Sequence, residues 1–302
     1  MSKIRIPEPQ VTAARQLKVG LPDDYGNLAT LADATIRELT KPYPKAGLMY
    51  TLLMSNTRLD AHWNMANYTT VGKLGYNDHG PIHARVTAAY AMQIMTLLFN
   101  AHVPLDVIQS GAGGQDDAML AVLAGIMMHD IGNATHRQGH EAMSVILARP
   151  LLERMLPEIY TDIEQLTLIE NFVLSEIQSH DMNPPPLFME SGVVAVADGC
   201  DMTKGRARMP FDLGKIDIHA VSALSIETVN ILPGKTAPVE IEVVMSNSAG
   251  IFQVEETLVK KLNGTPLRPH VTVKANVVGP EDGHERNIIT SVELRNGRLN
   301  PV

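Results

Sequence analysis

The sequence predicts a mainly α protein that ends in a small α+β domain. Apolar residues recur at helical spacing through about residue 200, then alternate with polar ones as strands require after about residue 213. Apolar types make up 45% of the 302 residues and charged types 19%, which suits a substantial core and not a disordered chain. Aromatic residues are only 4% while methionines number 16, so the interior is expected to be helix packed with Leu, Ile, Ala and Met.

Residues 1 to 26 carry several prolines and little periodicity, and read as an irregular arm. Helix is expected over 27 to 67, interrupted at Lys41-Pro-Tyr-Pro44. Pro81 opens a strong helix in which Ile82, Val86, Tyr90, Ile94 and Leu97 recur, and which stops near His102-Val-Pro104. After the loop Gly111-Ala-Gly-Gly114, Asp116 and Asp117 start a helix that ends at His129-Asp130, before Gly132-Asn133. A helix from near His140 to Leu147, another from about 161 to 179 and a last one from 193 to about 202 complete the helical part. Beyond it, strands are expected at 238–244, 270–277 and 287–294, with a helix between the first two ended by Gly264. Ser246-Asn-Ser-Ala-Gly250 reads as the N-cap of that helix.

Composition excludes several functions. The net charge of −8 argues against binding a nucleic-acid polymer, though not against a local basic pocket for a small phosphate compound. No apolar run of about 18 residues exists to span a membrane. The first residues lack a signal-peptide core, and the one cysteine, Cys200, rules out an internal disulfide, so a reducing cytoplasm is expected.

The chemistry-bearing residues sit at helix ends. His129 and Asp130 follow an apolar run and offer one nitrogen and two oxygens near one point. His83 lies in the first turn of the Pro81 helix, His140 opens the next helix, and His180 ends the 161–179 helix. Asp198 lies in the apolar segment Val193-Val-Ala-Val-Ala-Asp198, where an unpaired carboxylate is costly and a cation or hydrogen-bond donors would explain it. Imidazole and carboxylate without thiolate suit Mn, Fe, Ni or Zn, with Mg also open.

The order His83, His129-Asp130, Asp198 resembles the signature of the HD superfamily of metal-dependent phosphohydrolases. The surrounding text agrees: His79-Gly-Pro-Ile-His83, His129-Asp-Ile-Gly132, Gly139-His-Glu141 and Ala197-Asp-Gly-Cys-Asp201. The resemblance covers about residues 75 to 208 and implies an HD-domain helical bundle with the metal site at its centre, followed by the small α+β domain. Residues 1–70 would be an arm and helices packing on the HD domain, 71–212 the HD-type metal-binding domain, and 213–302 the α+β domain. The family implies that His83, His129, Asp130 and Asp198 hold one divalent cation. Some members hold a second through two further histidines, which His140 and His180 match in order, with His136 a competitor for His140 and Asp130 the catalytic bridge. Asn133 stands where family hydrolases often carry Lys or His, so no acid–base role is expected there.

The implied reaction is hydrolysis of a nucleotide or another small phosphate ester. One or two cations would polarise a phosphoryl oxygen and activate a water for in-line attack. Arg137, Lys204, Arg206 and Arg208 are the basic residues expected to hold the phosphate. Asp201 reads as an orienter of ligands, and His79 as a neighbour of His83. Two other readings stay open: a di-iron oxygenase on the same scaffold, and a non-catalytic metal-stabilised binding or regulatory protein. The α+β domain shows no catalytic set, and pairing subunits into a homo-oligomer, or sensing a ligand, is the expectation for it.

Overall fold

The computed structural model describes residues 23–204, 206, 222–278 and 290–302. The chain is mainly helical with a small α+β part at its end, as its periodicities predict. Helices α1 (Asp23–Thr40), α2 (Pro44–Ser55) and α3 (Thr57–Leu74) come first. Helix α1 begins inside the stretch expected to be an irregular arm. The expected break at Lys41-Pro-Tyr-Pro44 is present, with Pro44 as the first residue of α2. A second break falls at Asn56, whose side chain accepts from the N–H groups of Arg58 and Leu59 and caps α3.

Helix α4 (Pro81–Asn100), the short α5 (Asp106–Gln109) and α6 (Gln115–Met128) follow. Every residue of α6 from Asp117 to Met128 is buried, because α2, α4, α8 and α9 all pack on it. Such a helix is apolar all round rather than amphipathic. A 3₁₀ turn (Ile131–Ala134) then leads to α7 (His140–Met155), α8 (Ile163–Ser179) and α9 (Met189–Cys200). Helix α7 runs past the expected stop at Leu147 and carries Pro150 inside it. Ala148, Leu151, Leu152 and Met155 are buried at helical spacing, and that packing outweighs the lost backbone hydrogen bond.

The C-terminal sheet has the order β1-β2-β3-β4-β5, from Ile226–Pro233, Val239–Met245, Val271–Val277, Ser291–Arg295 and Arg298–Pro301. Strands β2 and β3 pair in parallel, and the other neighbours are antiparallel. The crossover from β2 to β3 is helix α10, formed by Gly250–Gln253, a π turn at Val254–Val259, and Lys260–Asn263. Strand β2 buries Val239, Ile241, Val243 and Met245 in strict alternation, the pattern legible in its sequence. Strand β1 was not expected: a register shift between Ile226 and Thr228 breaks its alternation. Asn296 and Gly297 turn β4 into β5 with positive φ at both positions, as a two-residue hairpin requires.

One apolar core runs through both parts. Val193, Val194, Val196 and Ala197 of α9 pack among α4, α6 and α8, and α9 also meets α10. The sheet therefore leans on the helical bundle, and α10 lies against the helix that carries Asp198. No helix among the described residues is long and apolar enough to cross a membrane.

Among the described residues, one fully buried acid has neither oxygen paired. Glu176 of α8 is fully buried, neither carboxyl oxygen has a hydrogen-bond partner, and Gly125 of α6 leaves the room for it. Burial, with Glu190 nearby, pushes its pKa well above the usual 4.5. The folded chain keeps this proton, whereas the unfolded chain releases it once pH exceeds that usual value. Stability therefore falls as pH rises toward the folded-state pKa. Glu176→Gln removes this dependence. Its stability relative to wild type, read from urea unfolding, is expected to climb between about pH 5 and about pH 8, by no more than about 1.4 kcal/mol per pH unit. A gap that does not change with pH would mean the carboxyl is already ionised when folded.

Candidate metal centre

Five helix ends converge on one point. His129 caps the C-terminus of α6, and His180 caps that of α8. Each donates its Nδ1–H to the carbonyl three residues earlier, Ile126 at 2.6 Å and Ile177 at 2.7 Å. Those carbonyls belong to the last turn, which has no helical partner to offer, so the same device satisfies the helix and fixes the ring. Asp198 lies in the last turn of α9. The negative ends of three helices thus face the cluster, and they favour cations there.

The other two histidines enter from helix starts. His83 is in the first turn of α4, where Asp78 accepts from its backbone N–H at 2.8 Å. Its Nδ1–H donates to Asp201 Oδ2 at 2.7 Å. His140 is the first residue of α7 and directs Nδ1 to the Arg137 carbonyl at 3.1 Å. The turn after Asp130 reaches α7 because residue 132 is glycine. A Cβ there would lie 2.0 Å from the His140 carbonyl oxygen. Gly132 also donates its N–H to Ser144 Oγ, which ties the turn to the helix.

With every Nδ1 committed, each imidazole turns its Nε2 inward. His83 Nε2 and His129 Nε2 are 3.2 Å apart, and His140 Nε2 and His180 Nε2 are 3.1 Å apart. Asp130 stands between the pairs. Its Oδ2 lies 3.4 Å from His83 Nε2 and 3.3 Å from His129 Nε2. Its Oδ1 lies 3.2 Å from His140 Nε2 and 3.7 Å from His180 Nε2. Asp198 Oδ1 adds to the first pair at 3.2 and 3.6 Å. Ligands about 2.1 Å from a shared cation sit roughly 3.0–3.4 Å from one another, so these spacings match a cation on either side of Asp130. Lone pairs facing at this distance repel unless a positive charge lies between them. The donor set therefore fits one or two divalent metals, and it forms several buried groups able to hold one.

The titration behaviour points the same way. Burial would raise Asp130 and Asp198, but His129 beside the first and Lys261 beside the second hold both well below the usual carboxylate range. Burial and Arg206 would lower His83, yet hydrogen bonds to Asp130, Asp198 and Asp201 lift it to about 10. His129 rises to about 9 against its burial, through Asp130. Without a metal the His83–His129 side takes up protons, whereas burial and the neighbouring His129 hold the His180 pKa well below its ordinary value.

The cluster brings together His83, His129, Asp130, Asp198, His140 and His180, and leaves out others. His136 is exposed, and its Nδ1 accepts from the Gln138 N–H. Arg137 lies at the rim, with Nη1 2.9 Å from His140 Nε2. Arg206 is nearly buried, held by the carbonyls of Asp78 and Asp201, with Nη2 3.4 Å from His83 Nε2. Lys204 sits on the surface, paired with Glu227, and is not part of the cavity wall. Its backbone directs it to β1 and away from the cluster. Arg208 lies outside the described residues. Asn133, next to the cluster, donates from Nδ2 to Asp130 Oδ1 at 2.9 Å and orients that carboxylate.

One cation was missed from the sequence. Lys261 of α10 places Nζ 2.5 Å from Asp198 Oδ2 and 3.0 Å from the His180 carbonyl. Burial would lower it, but Asp198 and Asp181 hold its pKa above the ordinary value, so it stays charged. No motif marks it; Lys260-Lys261 reads as the basic last turn of a helix. The cluster opens onto a cavity of about 180 Å³, bordered by Arg137, Arg206, Lys261 and His79. His79 directs Nδ1 to the Asn77 carbonyl, and burial holds its pKa well below that of a free imidazole.

The chain aligns over 245 residues, at 38% identity, with the uncharacterized protein MJ1020 of Methanocaldococcus jannaschii, covering 81% of this chain and 94% of that one. No protein-family model matches the chain, and no solved structure matches it.

Asp201 touches His83 from behind, as acceptors behind metal-binding imidazoles do. Asp201→Ala is expected to weaken divalent-metal affinity by about 10–100-fold, read by titration against a competing chelator. An unchanged affinity would remove the orienting role from Asp201.

Proposed function

The chain belongs to the family of that archaeal protein, and from the cage at its centre we propose that it is an HD-type metal-dependent phosphohydrolase of the cytoplasm, acting on a small phosphate ester. The observation that carries this reading is the position of Asp130, one oxygen toward each pair of inward-turned imidazole nitrogens. His83, His129, Asp130 and Asp198 would hold one divalent cation; Asp130, His140 and His180 would hold a second. Such cations supply Lewis acidity, polarising a phosphoryl oxygen and lowering the pKa of a bound water.

The remaining residues suit the phosphate. Arg137, Arg206 and Lys261 stand around the cavity with charges able to meet phosphoryl oxygens as negative charge develops. Lys261 also neutralises the Asp198 oxygen that faces away from His83. With its Nδ1–H spent on Asn77 and its pKa held low by burial, His79 borders the cavity as a neutral ring able to accept a hydrogen bond. The four imidazoles are buried, which keeps bulk water from the ligand nitrogens, so the charges act in a low dielectric.

The four-histidine, two-aspartate set also suits a di-iron oxygenase. Turnover of a phosphate ester without oxygen, supported by Mn²⁺, separates the two readings. For the proposed function, Asp130→Ala is expected to lose its bound metal by elemental analysis. Phosphate release from a panel of phosphomonoesters is expected to fall at least about 100-fold. Wild-type metal content in that variant would sink the assignment.

A further inference from the structure

The wall of the cavity opposite the cage comes from the C-terminal part. Gln253, Thr257 and Lys261 of α10 all border the cavity, four residues apart along one helix. The π turn at Val254–Val259 underwinds the helix there and keeps positions four apart on one face. Lys261 is charged and touches Asp198. Thr257 donates its hydroxyl to the Gln253 carbonyl, which leaves its oxygen lone pairs as acceptors. Gln253 is nearly buried and accepts from Ser222 through Oε1, and its amide NH₂ has no partner among the described residues. A donor and an acceptor thus stand in a row above one ammonium.

The rest of the wall is polar too. Among the described residues, Met202 and Gly199 are its only non-polar members, and no Phe, Tyr or Trp borders the cavity. A nucleobase gains roughly 1–3 kcal/mol by stacking on an aromatic face, and among the described residues the only rings on this wall are the imidazoles of His79 and His180, the second of them in the cage itself. The volume of about 180 Å³ corresponds to roughly six water molecules. That is room for a phosphate and a short polar carbon chain inside the cavity, whereas a ribose and base on the same phosphate would extend through its open side.

Resting on the phosphohydrolase reading, we propose that α10 is the substrate-reading wall of the centre and selects a small hydroxyl-rich phosphate monoester, a polyol or sugar phosphate. Lys261 takes the phosphate, while Thr257 and Gln253 read the hydroxyl groups next to it. Buried groups made to pair with a hydroxyl reject a ligand that lacks one, because they would be left unsatisfied.

Calorimetric titration of the metal-loaded full chain with inorganic phosphate, glycerol 3-phosphate and adenosine monophosphate tests this. Glycerol 3-phosphate is expected to bind about 10-fold more tightly than either of the others. In the double variant Gln253→Leu, Thr257→Val, its advantage over inorganic phosphate is expected to vanish, while Lys261→Met weakens both in parallel. Adenosine monophosphate binding most tightly, or a double variant that keeps the advantage, overturns the proposal. The wild-type ranking decides the matter even where a variant does not fold. Phosphate release, followed in parallel, tests the reaction separately. Glycerol 3-phosphate bound but never hydrolysed would end the hydrolase reading and leave the wall standing. Adenosine monophosphate hydrolysed and preferred would do the reverse.

Discussion

Four imidazole nitrogens meet as two close pairs on either side of one carboxylate, and only positive charge among them makes that arrangement stable. Each ring is aimed by what holds its far nitrogen: a last-turn carbonyl for His129 and His180, the Arg137 carbonyl for His140, and Asp201 for His83. None of these supports is interchangeable with water, since all four rings are buried. Two carboxylates and three helix C-termini then add negative potential at the same point. The surrounding architecture can be understood as the set of elements that brings these groups together and keeps solvent out.

That requirement explains features that would otherwise look unrelated. Helix α6 is buried on every side because it must end at the middle of the molecule. Gly132 is small because α7 has to begin against it. Asn133 occupies a position where a charged group would compete for the cage, and it holds Asp130 instead. Arg206, buried between two backbone carbonyls, approaches His83 from the open side.

Much of this was legible in the amino-acid order, for a local reason. His129 and His180 are placed by the ends of their own helices, and helix ends announce themselves through apolar period, glycine and proline. Asp198 stood out because an acid in Val-Val-Ala-Val-Ala needs a partner. What was not legible depends on distant packing. Lys261 looks like any basic residue in a last helical turn until α10 is laid against α9. Lys204 sits in the same sequence cluster as Arg206, yet one pairs with Glu227 and the other reaches His83. Strand β1 escaped notice because a bulge breaks its alternation, and α7 outran its expected end because burial beyond Pro150 carried it.

Helix α10 pressing its ammonium onto Asp198 also bears on the order in which the molecule is made. The hydrogen bonds that finish the centre join residues far apart in the chain: 63 positions for Lys261 and Asp198, 118 for His83 and Asp201, 128 for Arg206 and Asp78. Long loops close late, and a chain leaving the ribosome presents its N-terminal helices first. A nascent chain with all six His and Asp residues already synthesised still lacks the charge that faces Asp198. The centre is completed only when α10 has docked on α9, so it arises later in the chain than its signature motif.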